Sequence, residues 1–237
     1  MCGRFNVSAD PLSVMLMKLI GLPHPGPDNV NAAPTETIAV LRIGADGEPE
    51  IVPMRWWLTP YWSKAPSTKY SMFNAKSETA ASSPAFREPF RKRRCVVPVS
   101  GFYEWIRQNN QKLPYYIRPH DDEGLLLAGL WDRWHDRETD EDLLSFAVLT
   151  VPAAPEMAFI HDRQPLMLPF DHARAWLDPD ANDYGDLISS ALPSHLDAVP
   201  VSTYVNNARH KDARCLDPIG APVPLDRPRE APPGGIQ

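Results

Sequence analysis

Cysteine is scarce in this chain, with three among 237 residues and no pair at CxxC spacing. That scarcity excludes a disulfide framework and a zinc ribbon, and a reducing cytosolic or nucleoid-associated setting is expected. Cys95, in the apolar run Cys95-Val96-Val97, and Cys215 near the far end read as buried free thiols. Long apolar runs are missing as well. No stretch approaches the roughly 18 residues of a membrane span, and no basic segment followed by an apolar one marks a secretory signal, so a cytoplasmic protein is expected. Positive charge is not in excess: 24 Lys and Arg against 30 Asp and Glu leave a formal net charge of -6. Such a balance argues against coating duplex DNA by bulk electrostatics. The seven histidines show no ligand spacing with each other or with the cysteines, so neither a metal nor another cofactor is implied.

What is present fits one domain over residues 1–224, with a tail over 225–237, rich in proline and glycine (Pro228, Pro232, Pro233, Gly234, Gly235), expected to be disordered. Asp10-Pro11 offers a cap and a first-turn proline. Leu12, Met15, Leu16, Leu19 and Ile20 then share one helical stripe that Gly21 ends. Thr37 to Ile43 and Ile51 to Trp56 read as strands around the turn Gly44-Ala45-Asp46-Gly47. Further strands are expected at Cys95–Val99, Pro114–Arg118, Leu125–Leu130 and Leu144–Val151. Short helices are expected at Asp171–Leu177 and Leu187–Leu192. Strands dominate, and helices come at intervals too irregular for a βαβ repeat, which points to an α+β fold with mostly antiparallel pairing.

Several segments carry chemistry. The chain opens Met1-Cys2-Gly3-Arg4-Phe5. Cys2 is small enough for Met1 to be removed, which would leave a cysteine with a free α-amine beside its thiol. Such a 1,2-aminothiol condenses with an aldehyde to an imine and closes to a thiazolidine, which no internal cysteine can do. In Val99-Ser100-Gly101-Phe102-Tyr103-Glu104-Trp105 a carboxylate sits among aromatics, which suits either a desolvated acid of raised pKa fit for proton transfer near neutral pH or a structural Glu104 paired with an arginine. Phe73-Asn74-Ala75-Lys76-Ser77-Glu78-Thr79 places an amide and a cation after an aromatic. Phe159-Ile160-His161-Asp162-Arg163-Gln164-Pro165 supplies either a group that titrates near pH 7 or a structural histidine. Positions 56–62 hold four aromatics (Trp56, Trp57, Tyr61, Trp62), which suit either a core or the stacking of unpaired bases. Residues 87–94 hold five cations (Arg87, Arg91, Lys92, Arg93, Arg94) against Glu88, either a solvated face or a salt-sensitive nucleic-acid contact.

Taken together, these segments resemble the SRAP (SOS-response-associated peptidase) family, the abasic-site processing proteins. The matching motifs also include Asn31-Ala32-Ala33-Pro34-Thr35, Arg55-Trp56 through Trp62, Arg94-Cys95, Ala128-Gly129-Leu130-Trp131 and Val205-Asn206, in the family's order to about residue 220. The resemblance implies antiparallel sheets forming a barrel-like core with flanking helices. It also implies a monomer acting on abasic sites in single-stranded DNA. Cys2 would bond to the ring-opened sugar in a DNA–protein crosslink. Asn74 would orient the Cys2 amine or the sugar, Glu104 would shuttle protons, and His161 would assist ring opening. Arg4, Lys76 and Arg163 would contact phosphates, and Trp56 would stack or wedge. AP-lyase and self-processing peptidase activities are implied alongside. Three departures stand out: Trp57 where glycine is frequent, Lys76 where arginine is common, and Gln164 in place of methionine or arginine. Two other readings of the residues are an N-terminal-nucleophile amidohydrolase acting on a small amide and a non-catalytic single-strand DNA-binding module.

Overall fold

Residues 2–181 and 184–226 are described by a computed structural model of the protein. The expected tail lies outside the described residues from position 227 on, as does Met1.

The chain begins with β1 (Phe5–Val7), helix α1 (Ala9–Ile20), β2 (Asn29–Ala32), β3 (Thr37–Ile43), β4 (Pro49–Trp56) and β5 (Asn74–Lys76). It continues through short helices α2 (Ser77–Ala80) and α3 (Arg87–Lys92) to β6 (Arg94–Val99), β7 (Gly101–Gln108) and β8 (Gln111–Pro119). A long hairpin follows, β9 (Leu125–Asp136) and β10 (Glu141–Pro152), and then β11 (Arg163–Pro165), β12 (Met167–Leu168), α4 (Ala173–Leu177), β13 (Leu196–Pro200) and β14 (Val223–Pro224).

Helix α1 forms because Leu12, Met15, Leu16 and Leu19 recur at helical spacing and are all buried. Asp10 lies in its first turn and Lys18 in its last, each complementing the helix dipole. Gly21, in the left-handed region at φ 74°, ends it by donating its N–H to the Met17 carbonyl. The helix starts one residue before Asp10, with Ser8 at the cap. Pro11 is accommodated because first-turn amides need no intrahelical partner.

Among the described residues the strands make two sheets. One runs β14-β13-β8-β7-β1-β2, antiparallel throughout. In the other, β10-β4-β3-β6-β9 closes on itself through the β9–β10 pairing into a five-stranded barrel, with β11, β12 and β5 added at its margins. The pairings of β10 with β4 and β5 are parallel and the rest are antiparallel. The fold is thus the α+β, mostly antiparallel architecture with a barrel and few helices that the sequence and the resemblance imply. Alternation along β6 shows how the core divides. Cys95, Val97 and Val99 join a cluster shared with the open sheet (Cys2, Phe5, Phe102, Ile117), whereas Val96 faces α1 and α4 with Leu12, Leu16 and Trp176. No helix among the described residues is long and apolar enough to cross a membrane.

Two expectations need correction. Leu187–Leu192 is not helical: a 3-10 turn covers Gly185–Leu187 only. There the Ser189 hydroxyl accepts the Ala191 N–H, a local bond that competes with helix formation, and Pro193 follows. Strand β9 does not stop at Leu130 but runs to Asp136. Its interior carboxylate, Asp132, is satisfied by the N–H groups of Tyr61 and Arg133 and by Arg93.

Gly101 starts β7, the strand that carries Glu104. A Cβ there would lie 2.5 Å from the Ile117 carbonyl oxygen and 2.6 Å from the Tyr116 ring. Because the obstacle is backbone of the paired strand, Gly101→Ala should destabilise the fold by about 1–3 kcal/mol, read as a lower urea midpoint at unchanged slope. An unshifted midpoint would show that β7 and β8 separate freely at this point.

Candidate active site

The site lies where the two sheets meet. From the open sheet comes β1, whose Phe5 pairs with Phe102 of β7, and Tyr103 N–H donates to the Arg4 carbonyl at 3.0 Å. This pairing sets Cys2 beside the strand bearing Glu104. From the barrel side comes β10, along which Asn74 of β5 pairs with Val148, Lys76 with Thr150, and Arg163 of β11 with Pro152. A hydrogen bond crosses between the halves: Asn74 Nδ2 donates to the Cys2 carbonyl at 2.7 Å.

Electrostatics follow from burial. Cys2 has no exposed surface, and its thiol is pushed well above its usual pKa by burial and then by the charge of Glu104, so it is a neutral thiol at physiological pH. Glu104 is 2% exposed. Burial pushes its carboxyl up to about 7, and the charge of Asp162 adds to the rise. His161, half-buried, is held below its ordinary value by burial and is neutral near pH 7, although Asp162 lies 2.7 Å from its Nδ1. The same Nδ1 accepts the Arg163 N–H at 3.0 Å, a bond within the turn. Asn74 Oδ1 is buried with no hydrogen-bond partner among the described residues. An acceptor left so costs about 1–3 kcal/mol, and here it sits on the side chain that holds Cys2.

The cations divide. Arg4 donates to Asn31 Oδ1 at 2.7 Å and to the Val205 carbonyl at 3.0 Å, and its guanidinium lies 5.7 Å from the Trp105 ring. Arg163 is engaged by Glu78 and Thr150. The Lys76 side chain is exposed and, among the described residues, makes no hydrogen bond or ion pair. Of the basic run, Arg87, Arg91 and Lys92 are exposed, whereas Arg94 is buried and donates to the carbonyls of Trp176, Phe90, Arg91 and Asp178. Cys95 and Cys215 are buried free thiols.

Trp56 must be corrected as a stacking group. It has no exposed surface: its ring stacks on Phe5 at 3.9 Å and on Phe146 at 6.3 Å, and Nε1 donates to the Phe73 carbonyl. Trp57 packs against Phe73 at 5.2 Å, and Gln164 ties Ala154 N–H to the Ser190 carbonyl. The exposed aromatics of that stretch are Tyr61 and Trp62, at 58% and 55%. Asn31 is a residue whose role sequence reasoning missed. Fully buried, it holds Arg4 through Oδ1 and reaches the carbonyls of Val205, Asn207 and His210 through Nδ2. Its signal in the sequence was its place in the motif Asn31-Ala32-Ala33-Pro34-Thr35.

A sheet seam that presents a buried second-residue cysteine to a carboxylate, an amide and a histidine defines a family. The model of the SOS response associated peptidase (SRAP) family matches residues 1–208, and the chain belongs to that family. It is 32% identical to the abasic site processing protein YoaM of Bacillus subtilis over 92% of this chain and 98% of that one. It is 35% identical to the abasic site processing protein HMCES of Xenopus tropicalis over 70% of this chain and 56% of that longer one. The crystal structure of a Bordetella bronchiseptica protein, 25% identical, superposes with a TM-score of 0.75 over 85% of this chain and all of that one.

The raised Glu104 pKa has a consequence for stability. In the unfolded chain a carboxyl titrates near 4.5; in the fold it titrates at about 7, so the native state binds the proton more tightly. Stability therefore falls as pH rises from 4.5 to 7, by about 3 kcal/mol in all. Glu104→Gln should abolish this slope, matching the parent near pH 4.5 and exceeding it above pH 7 in urea unfolding. Parallel stability curves for the two proteins would mean that Glu104 is ionised without penalty in the fold.

Proposed function

We propose that this protein processes abasic sites in single-stranded DNA by forming a covalent crosslink through Cys2 after loss of Met1. The observation that carries this reading is the seam itself, where Cys2 is held by Asn74 beside a carboxylate of near-neutral pKa. The family and the names of its relatives agree with it. The protein would act as a cytoplasmic monomer that joins the nucleoid when bound to DNA.

An abasic deoxyribose opens when its C1′–O4′ bond breaks, O4′ gaining a proton and the C1′ hydroxyl losing one. His161, neutral near pH 7, is suited to assist that exchange. The Cys2 α-amine adds to the resulting aldehyde carbon, and loss of one water gives an imine. Sγ then adds to the same carbon, the thiol proton ends on nitrogen, and a thiazolidine closes with no oxidant or cofactor consumed. Glu104 takes protons from the amine and thiol and returns them to the departing hydroxyl and the nitrogen, which a group titrating at about 7 does in both directions. Asn74 fixes the Cys2 backbone through Nδ2, and its Oδ1 supplies an acceptor for the α-amine. The same imine acidifies the C2′ protons, so β-elimination, a lyase outcome, is open to these groups. Self-removal of Met1 completes the proposed activities. Lys76, Arg163 and Arg4 would meet backbone phosphates, and Tyr61 and Trp62 take the base-stacking role that burial denies Trp56.

The test is a denaturing gel of the purified protein with abasic single-stranded DNA, with intact mass confirming a chain that starts at Cys2. A heat- and SDS-resistant band that needs both the abasic site and Cys2 is expected, with none from Cys2→Ala. Glu104→Gln and His161→Ala should each slow its formation by about 10²-fold. Absence of the band from Met1-free protein would sink the proposal. Hydrolysis of a small amide, or Cys2-independent binding of undamaged strand, would then point to the two other readings.

A further inference from the structure

Arg163 meets a carboxylate where a phosphate is proposed to bind. Its Nη1 and Nη2 donate to Glu78 Oε1 and Oε2 at 2.5 and 3.0 Å, a two-pronged pair that uses the guanidinium fork as a phosphate would. Nη2 is also anchored on the barrel, donating to Thr150 O at 2.6 Å and Oγ1 at 3.1 Å. The partners differ in freedom. The Arg163 side chain is 12% exposed and tied to β10, whereas that of Glu78 is 47% exposed and springs from the four-residue helix α2. Glu78 can therefore swing into water while Arg163 stays in place. Arg163 Nε is buried and has no acceptor among the described residues, so the carboxylate leaves a donor unsatisfied that a further ligand oxygen would fill. Two residues before Glu78, Lys76 pairs with the same Thr150 and is exposed, a second cation at the place a phosphate would enter.

We propose that Glu78 is an internal stand-in for a DNA phosphate, occupying Arg163 in the unliganded protein and giving way when a strand reaches the site. This rests on the DNA-processing function proposed above. The hydrogen bonds from Arg163 hold the Glu78 carboxyl down at about 2, so the latch is charged at any working pH and opens by competition, not by protonation. Its effect is selectivity: isolated anions must outcompete a tethered carboxylate, whereas a strand bound at several points displaces it readily.

The experiment measures non-covalent binding of a fluorescein-labelled, undamaged thymidine oligonucleotide to the full chain by anisotropy, across a salt series. Glu78→Gln should bind about two- to fivefold more tightly than the parent at low salt, the range set by releasing a partly exposed ion pair. Its log K against log salt should steepen by about 0.7, one added phosphate contact on a single strand. Glu48→Gln, which removes the same charge from the β3–β4 turn, controls for net charge and should not match this gain. In an Arg163→Ala background the Glu78→Gln gain should vanish. If Arg163→Ala does not fold, Arg163→Lys, which keeps the charge and loses the fork, takes its place and should shrink the gain.

Unchanged or weaker binding by Glu78→Gln, with Arg163→Ala still weakening it, overturns the latch and leaves the DNA-binding reading intact. A gain that persists without Arg163 also overturns it. Normal binding by Arg163→Ala removes Arg163 as a phosphate contact and the latch with it. No binding by any form removes the DNA-processing function as well as the inference.

Discussion

A hydrogen bond from the Asn74 amide to the Cys2 carbonyl holds the two sheets' contributions to the site in one arrangement. An amino end is the part of a chain most prone to fray. Here it is drawn into the apolar cluster that also holds Phe5, Trp56, Phe102 and Phe146, and the Phe5 ring lies flat on the Trp56 indole. The large aromatic surface buried just behind Cys2 keeps the second residue from wandering. Asn74 then selects its position along the seam.

Burial that orders the terminus also tunes its neighbours. The dry surroundings that raise the Cys2 thiol raise Glu104 and depress His161, so all three groups approach their neutral forms. Burial of this kind costs fold stability above neutral pH: Glu104 would be more comfortable ionised in water. The charged pairs stand further out. Glu78 with Arg163 and Lys211 with Glu36 lie at exposed or half-exposed positions, leaving the seam to groups that change protonation.

Much of this was legible in the sequence, for identifiable reasons. The helix Ala9–Ile20 and the strands Thr37–Ile43, Arg94–Val99 and Glu141–Pro152 carry strong periodicity or continuous β-branched runs. Cys2, Asn74, Glu104 and His161 could be singled out because each is a polar or reactive side chain in apolar surroundings. That they share a seam could not be read from spacing, since it depends on β5 and β11 docking on β10. Trp56 was misjudged because an aromatic beside a cation looks the same in a core as on a surface. Only strand alternation and the partner Phe5 decide between them. Arg94 ended inside for a related reason: it terminates a basic run, but its guanidinium is consumed by four carbonyls around α3 and α4.

The anchoring of β1 makes residues 2–5 a ruler. Phe5 is pinned by Trp56 and by its register with Phe102, and Arg4 by Asn31 and Val205. Only Gly3 separates Arg4 from Cys2, so a change of length there is passed directly to Cys2. One residue inserted or deleted between positions 2 and 4 would therefore displace the thiol from its place beside Glu104. The place of the thiol in the seam is thus set by its count of residues from an aromatic stack.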